Sequence, residues 1–151
     1  MNNEAIETHD LAGATISVVL HATEDKEKVK SKIIQVFNLN STKFEEVDAK
    51  GHWGNEISLL NISLKQIEAG QLIRKIYSLL DKTGKNDFLN SLLQSVDEKN
   101  NLYLRIDKQK LCSDHLALSD KDSIKIKFKP LKTFKQGNKA SIYRELLSSK
   151  Q

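Results

Sequence analysis

One cysteine, one proline and one tryptophan occur in 151 residues, and each scarcity removes a class of protein. The lone thiol, Cys112, cannot close an internal disulfide, which sets aside the stapled secreted scaffolds and fits a reducing compartment. With a single proline, Pro130, and six glycines, the chain is neither collagen-like nor a low-complexity linker. No stretch approaches the roughly 20 consecutive apolar residues of a membrane helix. The first residues carry acids where a secretory signal carries lysines, so a cytoplasmic protein without membrane contact is expected.

Catalytic and cofactor signatures are also missing. Neither a phosphate-cradling Gly-x-x-x-x-Gly-Lys loop nor a dinucleotide-binding Gly-x-Gly-x-x-Gly occurs. Cys112 and His115 have the spacing of half a zinc site, but a structural site needs four ligands and no second pair exists. The expectation is no metal, no cofactor and no catalytic residue. Cys112 reads instead as a small buried side chain between leucine-containing segments.

What is present describes an aliphatic core, with 38% hydrophobic residues against 6% aromatic. The length suits one domain, typically about 100 to 200 residues. Charge is unevenly placed. Residues 1–124 hold 16 Lys and Arg against 19 Asp and Glu, whereas residues 125–151 hold 8 against 1. A clustered positive end favours polyanions, most often nucleic acid. The expected organisation is a flexible lead-in over 1–12, one domain over 13–130 and a basic extension over 131–151.

Hydrophobic periodicity supplies the elements. Ile16, Val18 and Leu20 alternate with Ser17 and His21, which predicts a strand over 14–22. Thr23 offers an N-cap, and Val29, Ile33, Val36 and Phe37 predict a helix over 24–38. Strands follow over 43–48 and 56–64, the second with a possible register slip at Leu59-Leu60. A helix over 67–82 is ended by Thr83-Gly84-Lys85, and a second carries Phe88, Leu92 and Val96. Leu102, Leu104 and Ile106, then Ile124, Ile126 and Phe128, mark two further strands. Ile142, Tyr143, Leu146 and Leu147 form the stripe of a terminal helix over 140–147. This order predicts an α+β fold, a mostly antiparallel sheet of about four to five strands with helices on one face.

The same alternation assigns a solvent face to Ser17, His21, Tyr103, Arg105, Lys125, Lys127 and Lys129. Aromatic rings or guanidinium planes beside lysines suit RNA, because bases stack on the planes while lysines neutralise phosphates. Lysines two apart on a strand repeat at about 7 Å, a spacing that can follow a phosphate backbone. The competing reading makes these lysines gatekeepers of an edge strand and has Arg105 pair with Asp107.

Gly51-His52-Trp53-Gly54-Asn55 is the remaining singular feature. Two glycines flank the only tryptophan, which marks a tight turn whose aromatic either plugs the core or is displayed for stacking. His52 beside Asn55 and Glu56 also leaves a general base in view.

Three segments carry a family resemblance: Ala22-Thr23-Glu24-Asp25, Gly51-His52-Trp53-Gly54-Asn55-Glu56-Ile57 and Asn101-Leu102-Tyr103-Leu104-Arg105-Ile106-Asp107-Lys108-Gln109. In this order and spacing the chain resembles, over residues 14–129, the archaeal RNA-binding proteins described as predicted exosome subunits. Trp53 stands where that family commonly has tyrosine, and Glu56 where it commonly has proline. The resemblance implies a small α+β fold akin to double-stranded-RNA-binding domains and to the large-subunit ribosomal protein that binds the smallest ribosomal RNA. It further implies RNA binding without catalysis, in company with exosome subunits. The candidate RNA-binding residues are then His52, Trp53, Asn55, Tyr103, Arg105, Lys108, Lys125, Lys127 and Lys129. Two other readings remain: a protein-interaction subunit of an exosome-like or ribosome-associated assembly, and an RNA-processing enzyme using His52.

Overall fold

A computed structural model describes residues 11–39, 44–131 and 141–148. The strands are β1 (Leu11–His21), β2 (Phe44–Lys50), β3 (Glu56–Leu64), β4 (Leu102–Asp107) and β5 (Ser123–Pro130). The helices are α1 (Lys26–Val36), α2 (Gln66–Leu79), α3 (Lys82–Ser95), α4 (Lys108–Cys112) and α5 (Ser141–Ser148). The strands build one antiparallel sheet in the order β2-β3-β1-β5-β4, so the fold is α+β as the periodicity predicts. The expectations for residues 1–10 and 132–140 lie outside the described residues.

The chain divides into two compact units. The first comprises Thr15–Ser63 and Arg105–Ile126, and the second Met1–Ala14, Leu64–Leu104 and Lys127–Gln151. In the first, Val29 and Ile33 are the buried positions of α1, four residues apart on one side of the helix. Ile16, Val18, Leu20, Leu60 and Ile62 are buried in the same unit, and α1 packs against α4. In the second unit, Leu72, Ile73 and Ile76 of α2 are buried, as are Phe88 and Leu92 of α3. Tyr143, Leu146 and Leu147 of α5 are buried there too, and α5 packs against α2. The last helix is therefore a packed element, and burial pushes the Tyr143 phenol's pKa up.

Several local expectations are corrected. Helix α1 is capped by Asp25, whose carboxylate accepts from the Lys28 amide at 3.1 Å, and not by Thr23. Thr83-Gly84-Lys85 does not end a helix; it is the first turn of α3, with Asp81 accepting from the Gly84 amide at 2.7 Å. The break falls at Leu80-Asp81, where both residues are extended. Strand β3 carries no bulge. It pairs continuously with β2 from Phe44↔Ile62 to Lys50↔Glu56, and Ser58, Leu60, Ile62 and Leu64 are its buried face. Helix α4, unforeseen in the periodicity because five residues hold barely one turn, is capped by Asp107 accepting from the Lys110 amide at 2.9 Å. Strand β1 starts three residues early, at a fully buried Leu11; the buried positions change phase at Gly13-Ala14, so the alternation of Ile16, Val18 and Leu20 does not extend to it. Cys112 is partly exposed rather than buried.

Candidate nucleic-acid interface

In the first unit, β2 and β3 form a hairpin whose connection is Gly51 to Asn55. The Gly51 amide donates to the Asn55 carbonyl at 2.6 Å and the Gly54 amide to the Gly51 carbonyl at 3.0 Å. Gly54 sits at φ +80, a left-handed conformation that a side chain would strain. At Gly51 a Cβ would lie 2.6 Å from Asn55 Oδ1, so a larger residue there would push the Asn55 side chain aside. The paired glycines thus differ: Gly54 answers a backbone demand, and Gly51 leaves room for the Asn55 side chain. The loop they shape presents His52, Trp53 and Asn55, all exposed, to solvent. Trp53 is 88% exposed, so it does not plug the core. The His52 ring meets it edge-on, with centroids 4.6 Å apart and planes at 87°.

On β4 the alternation is clean, with Leu102, Leu104 and Ile106 buried and Tyr103 and Arg105 exposed. In the second unit Tyr103 is held from two directions. Its hydroxyl donates to Asp97 Oδ2 at 3.0 Å, and Lys127 Nζ stands 5.7 Å from the ring centroid, within cation–π range. Asp97 also accepts from the Asn101 amide and side chain and from the Lys99 amide. Burial pushes the Asp97 carboxyl up, but these bonds, led by that from the Asn101 amide, outweigh it and hold the pKa below its ordinary value. The turn before β4 is thus a clamp for the tyrosine.

In the first unit Arg105 does not pair with Asp107, which is occupied as the cap of α4. Its Nη1 reaches the Asp120 carbonyl at 3.5 Å, a long contact that leaves most of the guanidinium exposed. Along β5, Lys125 and Lys129 are exposed and Lys127 half-buried, alternating with buried Ile124, Ile126 and Phe128.

Lys108 departs from the expectation. It is fully buried, and its Nζ donates to the Val19 carbonyl at 2.8 Å and Glu24 Oε1 at 3.0 Å and pairs with Asp122 Oδ1 at 3.1 Å. A buried ammonium needs such saturation, and one so saturated has no donor left for a phosphate. Lys108 is therefore removed from the candidate contacts. Glu24 accepts in addition from the His21 amide at 2.8 Å and the Gln109 side chain at 3.4 Å. Two of the three motif segments, Ala22 to Asp25 and Asn101 to Gln109, thus meet at one carboxylate. His21 Nε2 lies 3.8 Å from Asp122, an ion pair when the imidazole is protonated.

Glu24 and Asp97 were missed as positioning groups by sequence reasoning. The usable signal for Asp97 was an aspartate opening a turn before a strand; for Glu24 there was none, because its side-chain partners Lys108 and Gln109 are more than 80 residues away. Among the described residues no group of three or more His, Cys, Asp or Glu is placed to hold a metal, and no helix is long and apolar enough to cross a membrane.

The chain matches the model of a protein family described as RNA binding, over residues 14–130. It is 30% identical over 142 residues to an uncharacterised protein of Methanocaldococcus jannaschii, covering 89% of this chain and 93% of that one. An RNA-binding protein of Pyrococcus abyssi is 28% identical over 127 residues, covering 78% of this chain and 82% of its own. Among solved structures, a protein of Archaeoglobus fulgidus superposes with a TM-score of 0.75 at 31% identity, covering 90% of this chain and 99% of that one.

Proposed function

The chain belongs to this RNA-binding family, and from that premise we propose that it is a non-catalytic RNA-binding protein. The observation that carries the reading is Tyr103: an exposed aromatic whose hydroxyl is anchored by Asp97 and whose ring lies beside Lys127. A stacking surface fixed before binding loses little entropy when a base settles on it, and the neighbouring ammonium serves a phosphate. Arg105, Lys125 and Lys129 add exposed cations, and His52, Trp53 and Asn55 a displayed loop. Lys108 has no part in it. The proposed binding domain is residues 13–130, with the basic residues after Pro130 adding sequence-independent affinity. The family resemblance extends the proposal to work beside the RNA exosome in the cytoplasm.

RNA binding is tested by titrating structured and single-stranded RNA at two salt concentrations. Binding should weaken steeply with salt, since neutralised phosphates release counterions. Absence of binding at low salt, or affinity unchanged when Lys125, Lys127 and Lys129 are all reversed to glutamate, refutes the reading. Recovery of exosome subunits after nuclease treatment supports the assembly role, whereas loss of every partner leaves RNA alone. Turnover of RNA that disappears in a His52→Ala variant would replace binding by catalysis.

A further inference from the structure

The first unit contains a cleft that none of the exposed residues of β4 and β5 lines. It lies beside the root of the β2-β3 hairpin and encloses about 410 Å³, within the range of small-ligand sites. Ala22 and Ile57 give it apolar surface, while His21, Lys26, Lys50, Asp48, Glu56 and Ser58 give it polar edges. Its polar groups are ordered by one another. Ser58, buried within β3, donates to Asp48 Oδ1 at 2.8 Å and accepts from Lys26 Nζ at 3.2 Å. Glu46 holds the same ammonium at 3.3 Å. The chain segments ending at Lys50 and starting at Glu56, both lining residues, are those that carry the Trp53 loop.

We infer that this cleft receives one unpaired nucleotide of a bound RNA, its base against the Ala22-Ile57 surface, its base edge donating to Asp48 and its phosphate at Lys26 and Lys50. The inference rests on the RNA-binding reading and adds to it a preference for unpaired positions. A base inside a duplex has its faces stacked and its pairing edge consumed. An extruded base offers both, and a cleft combining apolar surface, two carboxylates and two ammonium groups answers each part of the nucleotide. A carboxylate in that position also selects for bases that present an N–H donor. A free phosphate would use only the lysines and leave Asp48 repelling it. Trp53, exposed on the loop that joins the cleft's two strands, is placed to close over the extruded base or to stack on its neighbour.

Two RNA hairpins that differ only by a single-nucleotide bulge form the probe. Binding is read by filter retention and by the fluorescence of Trp53, the only tryptophan. The wild type should hold the bulged hairpin about tenfold tighter, the gain expected from one stacked base. A Lys26→Met and Asp48→Asn double variant should bind both hairpins equally, with affinity for the paired one close to wild type. Equal binding of both hairpins by the wild type, or discrimination that survives the double variant, overturns the cleft while RNA binding stands. Failure to bind either hairpin at low salt overturns both readings. Should the double variant not fold, the amide resonances of Ala22, Ile57 and Ser58 in the wild type decide the matter. Shifts with the bulged hairpin alone support the cleft, and shifts with both or neither refute it.

Discussion

Lys108 and the lysines of β5 are the same residue type in two opposite situations. Each stands on or just after a core strand, and each sits beside apolar residues of a similar kind. Lys108 is fully buried with a carbonyl and two carboxylates around its ammonium, whereas Lys125 and Lys129 reach solvent. The difference is set by parity. Lys108 follows Leu102, Leu104 and Ile106 on the buried side of the alternation that exposes Tyr103 and Arg105, and the helix capped by Asp107 begins there. A cation placed there must be paired, since an unpaired buried charge is costly. A cation on the opposite side of the alternation, as on β5, stays wet and available to a polyanion. Stability and binding are thus assigned to different lysines, and substitutions should separate them.

The largest effect is expected at Lys108. Lys108→Met leaves Glu24 nearly buried without its counter-ion and the Val19 carbonyl without its donor, and should cost about 3 kcal/mol of stability. Asp122 is half-exposed and adds little to that figure. Denaturant titration measures the loss, and the folded protein should still bind RNA with near wild-type affinity. A stable Lys108→Met variant that had lost RNA would erase the distinction. The opposite result is expected on β5. Changing Lys125, Lys127 and Lys129 together to glutamine should leave stability within about 0.5 kcal/mol, as for surface substitutions generally. RNA affinity should fall, and the slope of log affinity against log salt should flatten by about 2, three contacts at roughly 0.7 each for single strands.

Strand alternation was the most legible part of this molecule, because Leu102 to Asp107 and Ile124 to Lys129 each put every apolar residue on one side. The exposed candidates on those strands could be named for that reason. Lys108 was misread because a lysine just past a strand reads as solvated, although its position is in phase with Leu102, Leu104 and Ile106; that parity was the signal of its burial. Similarly, Asp81 and not Gly84 marked the boundary between α2 and α3: a glycine in a polar stretch suggests a stop, but here it supplies an amide to the cap. The hairpin loop was legible in outline from its glycines, whereas the exposure of Trp53 was not, since an isolated tryptophan fits either environment. The cleft beside it could not be read at all, because Lys26 and Ser58 become neighbours only when α1 meets β3.

A smaller effect is expected at Tyr103. Tyr103→Ala removes the stacking surface and should weaken RNA binding by about 1 to 2 kcal/mol, the scale of one base-aromatic stack. Tyr103→Phe keeps the ring but frees it from Asp97, and its loss should be a fraction of that. If the two variants bind equally, the hydroxyl anchor and not the ring matters.

The smallest effect belongs to Asp97, and pH isolates it. Its folded carboxyl titrates below the ordinary value of 3.8, because the bonds from Asn101, Tyr103 and Lys99 require the ionised form. A depressed folded pKa means that the unfolded chain takes up the proton first. The carboxylate's contribution is therefore whole above the ordinary value and drains away as acid carries the folded group through its own lower pKa. Asp97→Asn keeps the shape and some of the hydrogen bonds but removes the titration. Unfolding measured from pH 6 downward should show the wild type more stable than Asp97→Asn at the top of that range, with the two curves converging below the ordinary carboxyl value. A gap that persists unchanged into strong acid would show that Asp97 acts by its shape, and the tyrosine would then be positioned by packing and by Lys127 instead of by charge.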